Sequence, residues 1–560
     1  IAVNDEGQPI DGLPADRSHE RWRRIPLPVS LSVELRPGET KRNLDQHGVD
    51  GLELYVLVTP RSGLLTATVA LSNRKRRGDS SAHDEQQHFF QVEMVVTGIA
   101  KGLFAPRPSQ RAETDEDSRV AALIYRNVKE YVVGHTCSAK AEVTPDGNVS
   151  CLKIDWIPAA EVPGVSDQGD SVFNKLRQDE HRKPLDAQWL AQASSGELAD
   201  GLKNLIDAYR KWIDGQENNI GDLSVELQPQ ARKHITQCKR GANRMEEGRA
   251  AILGDKNISS AFQLSQEAMR LQFGWARQGQ ALTWRPFQIA FQLLVLASLA
   301  DRSHADRDIM DLLWFPTGGG KTEAYLALTA FVILLRRLRR STDDDGAGVV
   351  VLMRYTLRLL TIQQFQRAAA MICACELLRR RGEIGSSGIP SLGKSPIGIG
   401  LWVGAAATPL TLKEALDKVQ GDSSTPKQLT ACPCCGADLK WELSPRESTV
   451  ECGTAPAGCE LAATGARIPV WTIDEEVYRH TPSLLIGTVD KFAQIVRKPE
   501  TGALFGRGAS NAPPDLIIQD ELHLISGPLG SIAGLYEVAI DELCRHENVR
   551  PKIIGSTATI

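Results

Sequence analysis

The chain has 560 residues, of which 42% are hydrophobic and 24% are charged, and its formal net charge is -4. This length exceeds what a single hydrophobic core usually serves, so we expect a large, soluble protein of three or four domains. The nearly balanced charge excludes a globally basic nucleic-acid binder. Any surface for a polyanion must therefore be local.

The longest apolar runs, residues 289–300 and 325–335, are shorter than the roughly 20 residues that span a bilayer, so no membrane contact is predicted. The N-terminus lacks an initiating Met, a basic region and an apolar run, so it predicts no signal peptide. We therefore expect a cytoplasmic protein whose sequence begins inside a longer chain.

Hydrophobic periodicity divides the chain into three parts. Alternating apolar residues predict a β-rich N-terminal domain in residues 1–165, and helical spacing of apolar residues predicts a helical linker domain in residues 166–283. From residue 284 onward, apolar strands with little alternation are separated by helices, which indicates a parallel sheet covered on both faces. The predicted strands occupy residues 311–315, 349–353, 397–403, 483–487, 516–519 and 552–555.

Two basic stretches allow two interpretations each. The turn at residues 74–77 either binds phosphate or is a solvated hairpin tip, and we favour the second interpretation. The stretch between Arg232 and Arg249 either follows a nucleic-acid backbone or is a solvated helix face, with the second at least as well supported. Its basic residues are Arg232, Lys233, Lys239, Arg240, Arg244 and Arg249.

A glycine-rich turn follows the first predicted strand of the sheet. The segment LLWFPTGGGKT at residues 312–322 runs from an apolar strand into a helix, as a phosphate-binding loop does. Lys321 would reach the β- and γ-phosphates of ATP, and the Thr322 hydroxyl would bind Mg²⁺. The strict motif is broken because Phe315 stands where the first glycine belongs. The backbone that would surround the phosphates belongs to Thr317, Gly318, Gly319 and Gly320.

Two adjacent carboxylates follow another apolar strand, in the segment LIIQDELH at residues 516–523. Ligand sites of parallel sheets lie at the carboxyl ends of the strands, so these carboxylates are predicted to face the glycine-rich turn. Asp520 would hold Mg²⁺, and Glu521 would orient and deprotonate the attacking water. His523 is either a coupling residue near the γ-phosphate or a hydrogen-bonded core histidine.

Further segments in the same order make the sequence resemble superfamily 2 helicases of the DExH type. The resemblance covers residues 284–560 and implies a RecA-like P-loop NTPase lobe with ATP and Mg²⁺ as cofactors. The segments are WRPFQ (284–288), RYTLRLLTIQQ (354–364), the glycine turn at Gly404, IGTVDK (486–491) and GSTAT (555–559).

The resemblance also implies roles for individual residues of this chain. The resemblance implies that Gln288 reads the adenine, and that Thr557 and Thr559 couple hydrolysis to movement of the lobes. Small polar residues after strands also cap helices, so each predicted nucleic-acid contact has a structural alternative. The predicted contacts are Thr356, Arg358, Thr488 and Lys491.

The residues of the motifs are similar to those in the helicase subunits of bacterial DISARM anti-phage systems. Two such segments are DLLWFPTGGGKTEAYLAL and QDELHLISGPLGSIAGLYE. This resemblance implies an antiviral role and a DNA substrate, single-stranded or with a single-stranded end. It also implies a companion subunit with a helicase-associated domain. The second RecA-like lobe of such motors is expected outside this sequence.

Five of the eleven cysteines lie within residues 432–459, and in a reducing compartment such crowding favours a metal over disulfides. The segment CPCCG at 432–436 is typical of a zinc knuckle, and a second pair would complete a tetrahedral four-cysteine site for a structural Zn²⁺. The module would be an insertion at residues 415–475, with Cys434 as an alternative ligand. The predicted ligands are Cys432, Cys435, Cys452 and Cys459.

Three functions remain open from the sequence. The first is an ATP-dependent DNA helicase or translocase, which Lys321, Asp520 and Glu521 favour because a pure switch needs no residue that activates water. The second is a DNA-binding scaffold that uses ATP as a conformational switch. The third is an RNA helicase, because motor motifs grip phosphates and report little on the sugar.

Overall fold

The structure is a computed structural model. It describes the backbone of residues 2–3 and 21–22, together with residues 26–61, 63–75, 88–98, 104–107, 115–155, 165–179, 183–277, 279–316, 318–340, 346–356, 358–384, 388–417, 424–454, 456–465, 467–508 and 511–558. The chain divides into two compact units, Ile1–Pro163 and Gly164–Ile560.

The N-terminal unit contains antiparallel β-sheets, which confirms the prediction of a β-rich region. Three-stranded sheets with the orders β3-β4-β5 and β6-β8-β7 accompany the short pair β1-β2. Part of the basic turn at residues 74–77 lies outside the described residues. The elements are β1 Ala2–Val3, β2 Arg21–Trp22, β3 Gly38–Asn43, β4 Leu52–Arg61, β5 Leu64–Asn73, β6 Met94–Thr97, α1 Glu116–Ile124, β7 Ser138–Val143 and β8 Val149–Asp155.

The second unit begins with helices. The helix α4 starts with a capping box between Ser194 and Glu197 and buries Leu198, Leu202 and Ile206, as its helical spacing predicts. These helices share one core with those of the sheet, so the linker and the lobe form a single compact unit. The helices are α2 Ser171–Gln178, α3 Ala187–Gln192, α4 Ser195–Asn218, α5 Gln228–Gly254, α6 Lys256–Ala276 and α7 Pro286–Ala300.

A seven-stranded, fully parallel sheet forms the centre of the second unit, in the order β14-β11-β15-β10-β16-β17-β9. All six predicted strands are present, and the two-residue strand β14 joins them at one edge. The central strands are buried along their whole length because helices cover both faces. The strands are β9 Asp311–Trp314, β10 Val351–Tyr355, β11 Ile399–Trp402, β14 Val470–Trp471, β15 Leu484–Thr488, β16 Leu516–Gln519 and β17 Lys552–Thr557.

Helices α8 and α9 connect the strands; α8 is buried over most of its length, and α9 is buried in its middle part, residues 371–379. Within the part of the chain that the structure describes, no helix combines the length and apolar character that crossing a bilayer requires. The remaining helices of the unit are α8 Lys321–Leu338, α9 Arg358–Glu383, α10 Leu412–Asp417, α11 Glu460–Thr464, α12 Asp474–His480 and α13 Gly527–Cys544.

A small cysteine-bearing module lies between α10 and β14. Its antiparallel hairpin joins β12 Leu439–Leu443 to β13 Ser448–Cys452. The expected insertion ended at residue 475, but β14 at Val470–Trp471 pairs with β11 and so belongs to the main sheet. The module is therefore narrower than the sequence predicted.

Candidate functional site

The glycine-rich loop leads from β9 into α8. Gly318 and Gly320 adopt left-handed backbone angles, with φ of 76° and 88°, which glycine tolerates best. A Cβ on Gly319 would lie 2.2 Å from Cδ1 of Phe315, so the ring packs directly against the loop backbone. The same ring stacks on Phe287 with centroids 3.9 Å apart. Phe315, which replaces the first glycine of the motif, thus packs between the loop and the WRPFQ segment.

The WRPFQ segment also braces the loop through hydrogen bonds. Gln288 Nε2 donates to the carbonyl oxygen of Gly320 at 2.7 Å, and Gln288 Oε1 accepts from the Arg285 backbone N–H at 2.8 Å. Arg285 Nη1 donates to the carbonyl oxygen of Gly319 at 2.8 Å. Gln288 therefore contacts the glycine-rich loop, and its part in adenine recognition stays a prediction.

Lys321, the first residue of α8, is turned towards the loop. Its Nζ donates to the carbonyl oxygen of Phe315 at 2.7 Å and lies 3.5 Å from that of Pro316. The free N–H groups and the dipole at the start of α8 favour an anion at this point. A bound phosphate would compete with the two carbonyl oxygens for the Lys321 ammonium. Thr317 lies outside the described residues.

Asp520 lies at the carboxyl end of β16 and is buried. Its Oδ1 accepts the Glu521 backbone N–H at 2.9 Å, and its Oδ2 accepts the Tyr325 hydroxyl at 2.7 Å. The same hydroxyl lies 3.1 Å from Thr322 Oγ1. Burial raises the pKa of Tyr325 well above its usual range, and neighbouring Tyr355 and Asp520 raise it further. Thr322 and Asp520, the two predicted magnesium ligands, thus both contact the neutral Tyr325 phenol. Oxygen ligands such as a hydroxyl and a carboxylate are those that Mg²⁺ prefers.

Glu521 and His523 lie next to this pair. Glu521 has a φ of 49°, in a region that costs a non-glycine residue energy and is enriched at functional sites. Its Oε2 lies 3.4 Å from His523 Nδ1, which is 3.0 Å from Thr557 Oγ1. A chain of contacts therefore connects Glu521 with the GSTAT segment. Thr559 lies outside the described residues.

The four predicted cysteine ligands converge. Their Sγ atoms all lie within 4.8 Å of one another, with 3.8 Å between Cys432 and Cys459 and 3.5 Å between Cys435 and Cys452. Four thiolates at about 2.3 Å from Zn²⁺ in a tetrahedron are about 3.8 Å apart, so the donor set fits this metal. Cys434 is not a member of the cluster. The prediction that four cysteines form a cluster is confirmed.

Two buried carboxylates, Glu376 and Glu476, connect the cysteine-bearing module to the helices that pack on the seven-stranded sheet. Glu376 on α9 holds Arg380 at 2.8 Å, and Arg380 donates to the carbonyl oxygen of Gly465 at 2.7 Å. Glu476 on α12 accepts the backbone N–H of Ser448, at the start of β13, at 2.6 Å. The cysteine cluster is therefore held on α9, the helix that follows the Thr356 segment.

Thr356 and Thr488, two of the predicted nucleic-acid contacts, lie at the carboxyl ends of the neighbouring strands β10 and β15. Their Oγ1 atoms are buried and have no hydrogen-bond partner among the described residues. Buried hydroxyls are normally paired, so these two suit a ligand or ordered water at this edge. The side chain of Arg358, a third predicted contact, lies outside what the structure describes.

The prediction that Lys491 contacts a nucleic-acid phosphate is at odds with the structure. Lys491 Nζ donates to Asp474 Oδ2 at 2.7 Å, and both side chains are only 1% exposed. Burial lowers the pKa of Lys491 although Asp474 opposes the shift, and burial raises the pKa of Asp474 against the effect of Lys491. An ammonium that is enclosed and paired in this way cannot reach a phosphate at the surface.

This chain is similar to the DISARM protein DrmA of Bacillus paralicheniformis. The two are 33% identical over 592 residues, a match that takes in 93% of this chain and 51% of the relative. The chain therefore spans about half the length of the curated relative. No family model matches the chain. The resemblance to a DISARM subunit that the motifs predicted is confirmed.

The structure adds Arg285, Phe287 and Tyr325 to the residues of the candidate nucleotide site. The sequence contained a signal for Tyr325, because a residue three positions after Thr322 on a helix lies on the same face. No comparable signal marks Arg285, because its contact with Gly319 joins segments that are 34 residues apart. Such a contact depends on how α7 packs beside the loop.

Proposed function

We propose that this chain carries a RecA-like lobe of a superfamily 2 helicase or translocase that binds and hydrolyses ATP. The observation that carries the proposal is the shared contact of Thr322 and Asp520 with the Tyr325 hydroxyl. A strand–loop–helix phosphate site and a strand-end carboxylate thereby meet at one edge of a parallel sheet, the position where such sheets bind ligands.

Each residue of the site has a defined task in this proposal. Lys321 and the backbone N–H groups at the start of α8 hold the phosphates, while Thr322 and Asp520 would hold Mg²⁺. When bound, the metal ion neutralises charge on the phosphate oxygens. Glu521 accepts a proton from the attacking water, and the contact between His523 and Thr557 relays the state of the site to β17. Gln288 would contact the adenine.

We propose DNA, single-stranded or with a single-stranded end, as the nucleic acid, and anti-phage defence as the setting. The similarity to a DISARM protein supports this setting. The hydroxyls of Thr356 and Thr488, which have no hydrogen-bond partner within the described part of the chain, support a ligand at the same sheet edge. We also propose a companion subunit with a helicase-associated domain. Arg358 and Thr559 keep their predicted roles in nucleic-acid contact and coupling.

The proposed Zn²⁺ would be held by Cys432, Cys435, Cys452 and Cys459. Four thiolates leave no open coordination position, so this metal would stabilise the module and take no part in the hydrolysis. The sulfur geometry supports this assignment.

DNA-stimulated ATP hydrolysis by the chain and its Glu521→Gln variant tests the proposal. Superfamily 2 motors complete the site with arginine from a second lobe, so we expect slow turnover by residues 1–560 alone. Glu521→Gln should keep nucleotide affinity and lower turnover by about 100-fold or more, because it removes the general base. Glu542→Gln, a change at a carboxylate that is 68% exposed on α13, is the matched control.

Full turnover by Glu521→Gln would overturn the role of Glu521 as general base, whereas nucleotide and DNA binding with no turnover by the unmodified chain would favour the ATP-switched scaffold. Competition between DNA and RNA strands of matched sequence, at one stated salt concentration, decides the substrate. Preference for RNA would contradict the assignment of DNA.

A further inference from the structure

The Tyr325 hydroxyl contacts both proposed magnesium ligands, although the sequence predicted no role for this residue. Its oxygen lies 2.7 Å from Asp520 Oδ2 and 3.1 Å from Thr322 Oγ1. Tyr325 is fully buried on α8, one turn after Thr322, so its ring cannot leave the position without disturbing the helix packing. The geometry is therefore built into the core of the lobe.

The hydrogen-bond capacity of these groups gives the contact a direction. A phenol carries a single hydrogen, and an ionised carboxylate is the strongest acceptor within reach, so the hydrogen points to Asp520. The Thr322 hydroxyl can then donate its own hydrogen to the phenol oxygen, because hydroxyl hydrogens rotate freely. Its lone pairs are thereby left to face a cation.

We propose that Tyr325 is a positioning residue for Mg²⁺: its hydroxyl orients the Asp520 carboxylate and the Thr322 hydroxyl before the metal–nucleotide arrives. The inference rests on the proposed ATP site and adds a residue to it. Tyr325 touches neither nucleotide nor metal in this scheme. Without the hydroxyl, Asp520 Oδ2 loses a charge-assisted hydrogen bond and the carboxylate can rotate.

Tyr325→Phe isolates the hydroxyl while keeping the ring that fills the core. The measurement is the affinity of the 560-residue chain for a fluorescent ADP analogue, titrated with Mg²⁺ and repeated in EDTA. We expect the Mg²⁺ concentration for half-maximal binding to rise about tenfold, as for loss of a hydrogen bond to a charged group. The affinity in EDTA should change less than about twofold.

Tyr355→Phe is the matched control. Its buried hydroxyl lies 3.3 Å from that of Tyr325 and 3.2 Å from Met353 Sδ, and among the described residues it forms no hydrogen bond with Thr322 or Asp520. This variant should shift the Mg²⁺ dependence less than about twofold. Thermal unfolding of both variants with EDTA, ADP, and ADP plus Mg²⁺ gives a second readout, since a bound ligand stabilises the folded state.

If Tyr325→Phe weakens nucleotide binding equally with and without Mg²⁺, the positioning role is wrong and Tyr325 is purely structural. An unchanged Mg²⁺ dependence of binding in Tyr325→Phe would lead to the same conclusion. If Tyr325→Phe does not fold while Tyr355→Phe does, the hydroxyl serves folding and the inference is also wrong. Failure of the proposed function appears differently, because the unmodified chain would then show no Mg²⁺-dependent nucleotide binding.

Discussion

Arg244 on α5 is one of the basic residues for which the sequence left two interpretations, and the structure indicates a third. Its Nη1 and Nη2 bind the two carboxylate oxygens of Asp311 at 2.6 and 2.8 Å, and its Nε lies 2.8 Å from Asp306 Oδ2. The Arg244 side chain is 11% exposed and that of Asp311 is 6% exposed. Arg244 therefore fastens the helical segment to the first residue of β9.

Arg244→Met keeps the aliphatic volume and removes the charge. Taking one partner from a buried ion pair costs about 3–5 kcal/mol, because the other charge stays buried. Lys552 Nζ remains 2.9 Å from Asp311 Oδ2, so we expect the lower end, a loss of about 3 kcal/mol in the free energy of unfolding. For a unit of this size the loss lowers Tm by about 4 °C.

Arg240→Met is the matched control, one turn earlier on α5. Arg240 binds Asp306 at 3.0 Å, but its side chain is 62% exposed, and exposed pairs contribute about 0–1 kcal/mol. Thermal unfolding of the two variants should therefore separate them by several degrees, and neither should change DNA affinity at fixed salt by more than about twofold. Equal Tm values, or a loss of DNA affinity in the folded Arg244→Met variant, would refute the fastening role.

Two further predictions concern the metal module and the buried lysine. Cys452→Ser should lower the zinc content from one ion per chain and destabilise the module, whereas Cys434→Ser should keep the ion. Atomic emission on the purified variants measures the zinc content of both. A full zinc content in Cys452→Ser would contradict the proposed ligand set. Lys491→Met should lower Tm, because Asp474 loses its partner, and should leave the salt dependence of DNA binding unchanged. A salt slope reduced by about one unit would instead indicate that Lys491 contacts a phosphate.

Local sequence determined the elements that form the candidate nucleotide site. Apolar runs with little alternation identified the strands, and the glycine turn identified the loop, because backbone conformation there depends on glycine itself. The carboxyl ends of β9 and β16 could also be predicted to lie at the same edge of the sheet, because parallel strands present their carboxyl ends at one edge. Cysteine spacing likewise predicted the sulfur cluster.

Only the tertiary structure decided which charged side chains are available to a ligand. Lys491 follows a strand and resembles a polar residue at a sheet edge, but α12 brings Asp474 against it and encloses the pair. Arg244 belongs by sequence to a basic helix face, but β9 supplies the carboxylate that holds it. These contacts join residues 17 and 67 positions apart, and packing rather than local preference sets such distances. The sequence by itself thus specified the loop and carboxylates of the candidate site and placed Tyr325 on the helix face of Thr322, while long-range packing brought Asp520 to the Tyr325 hydroxyl.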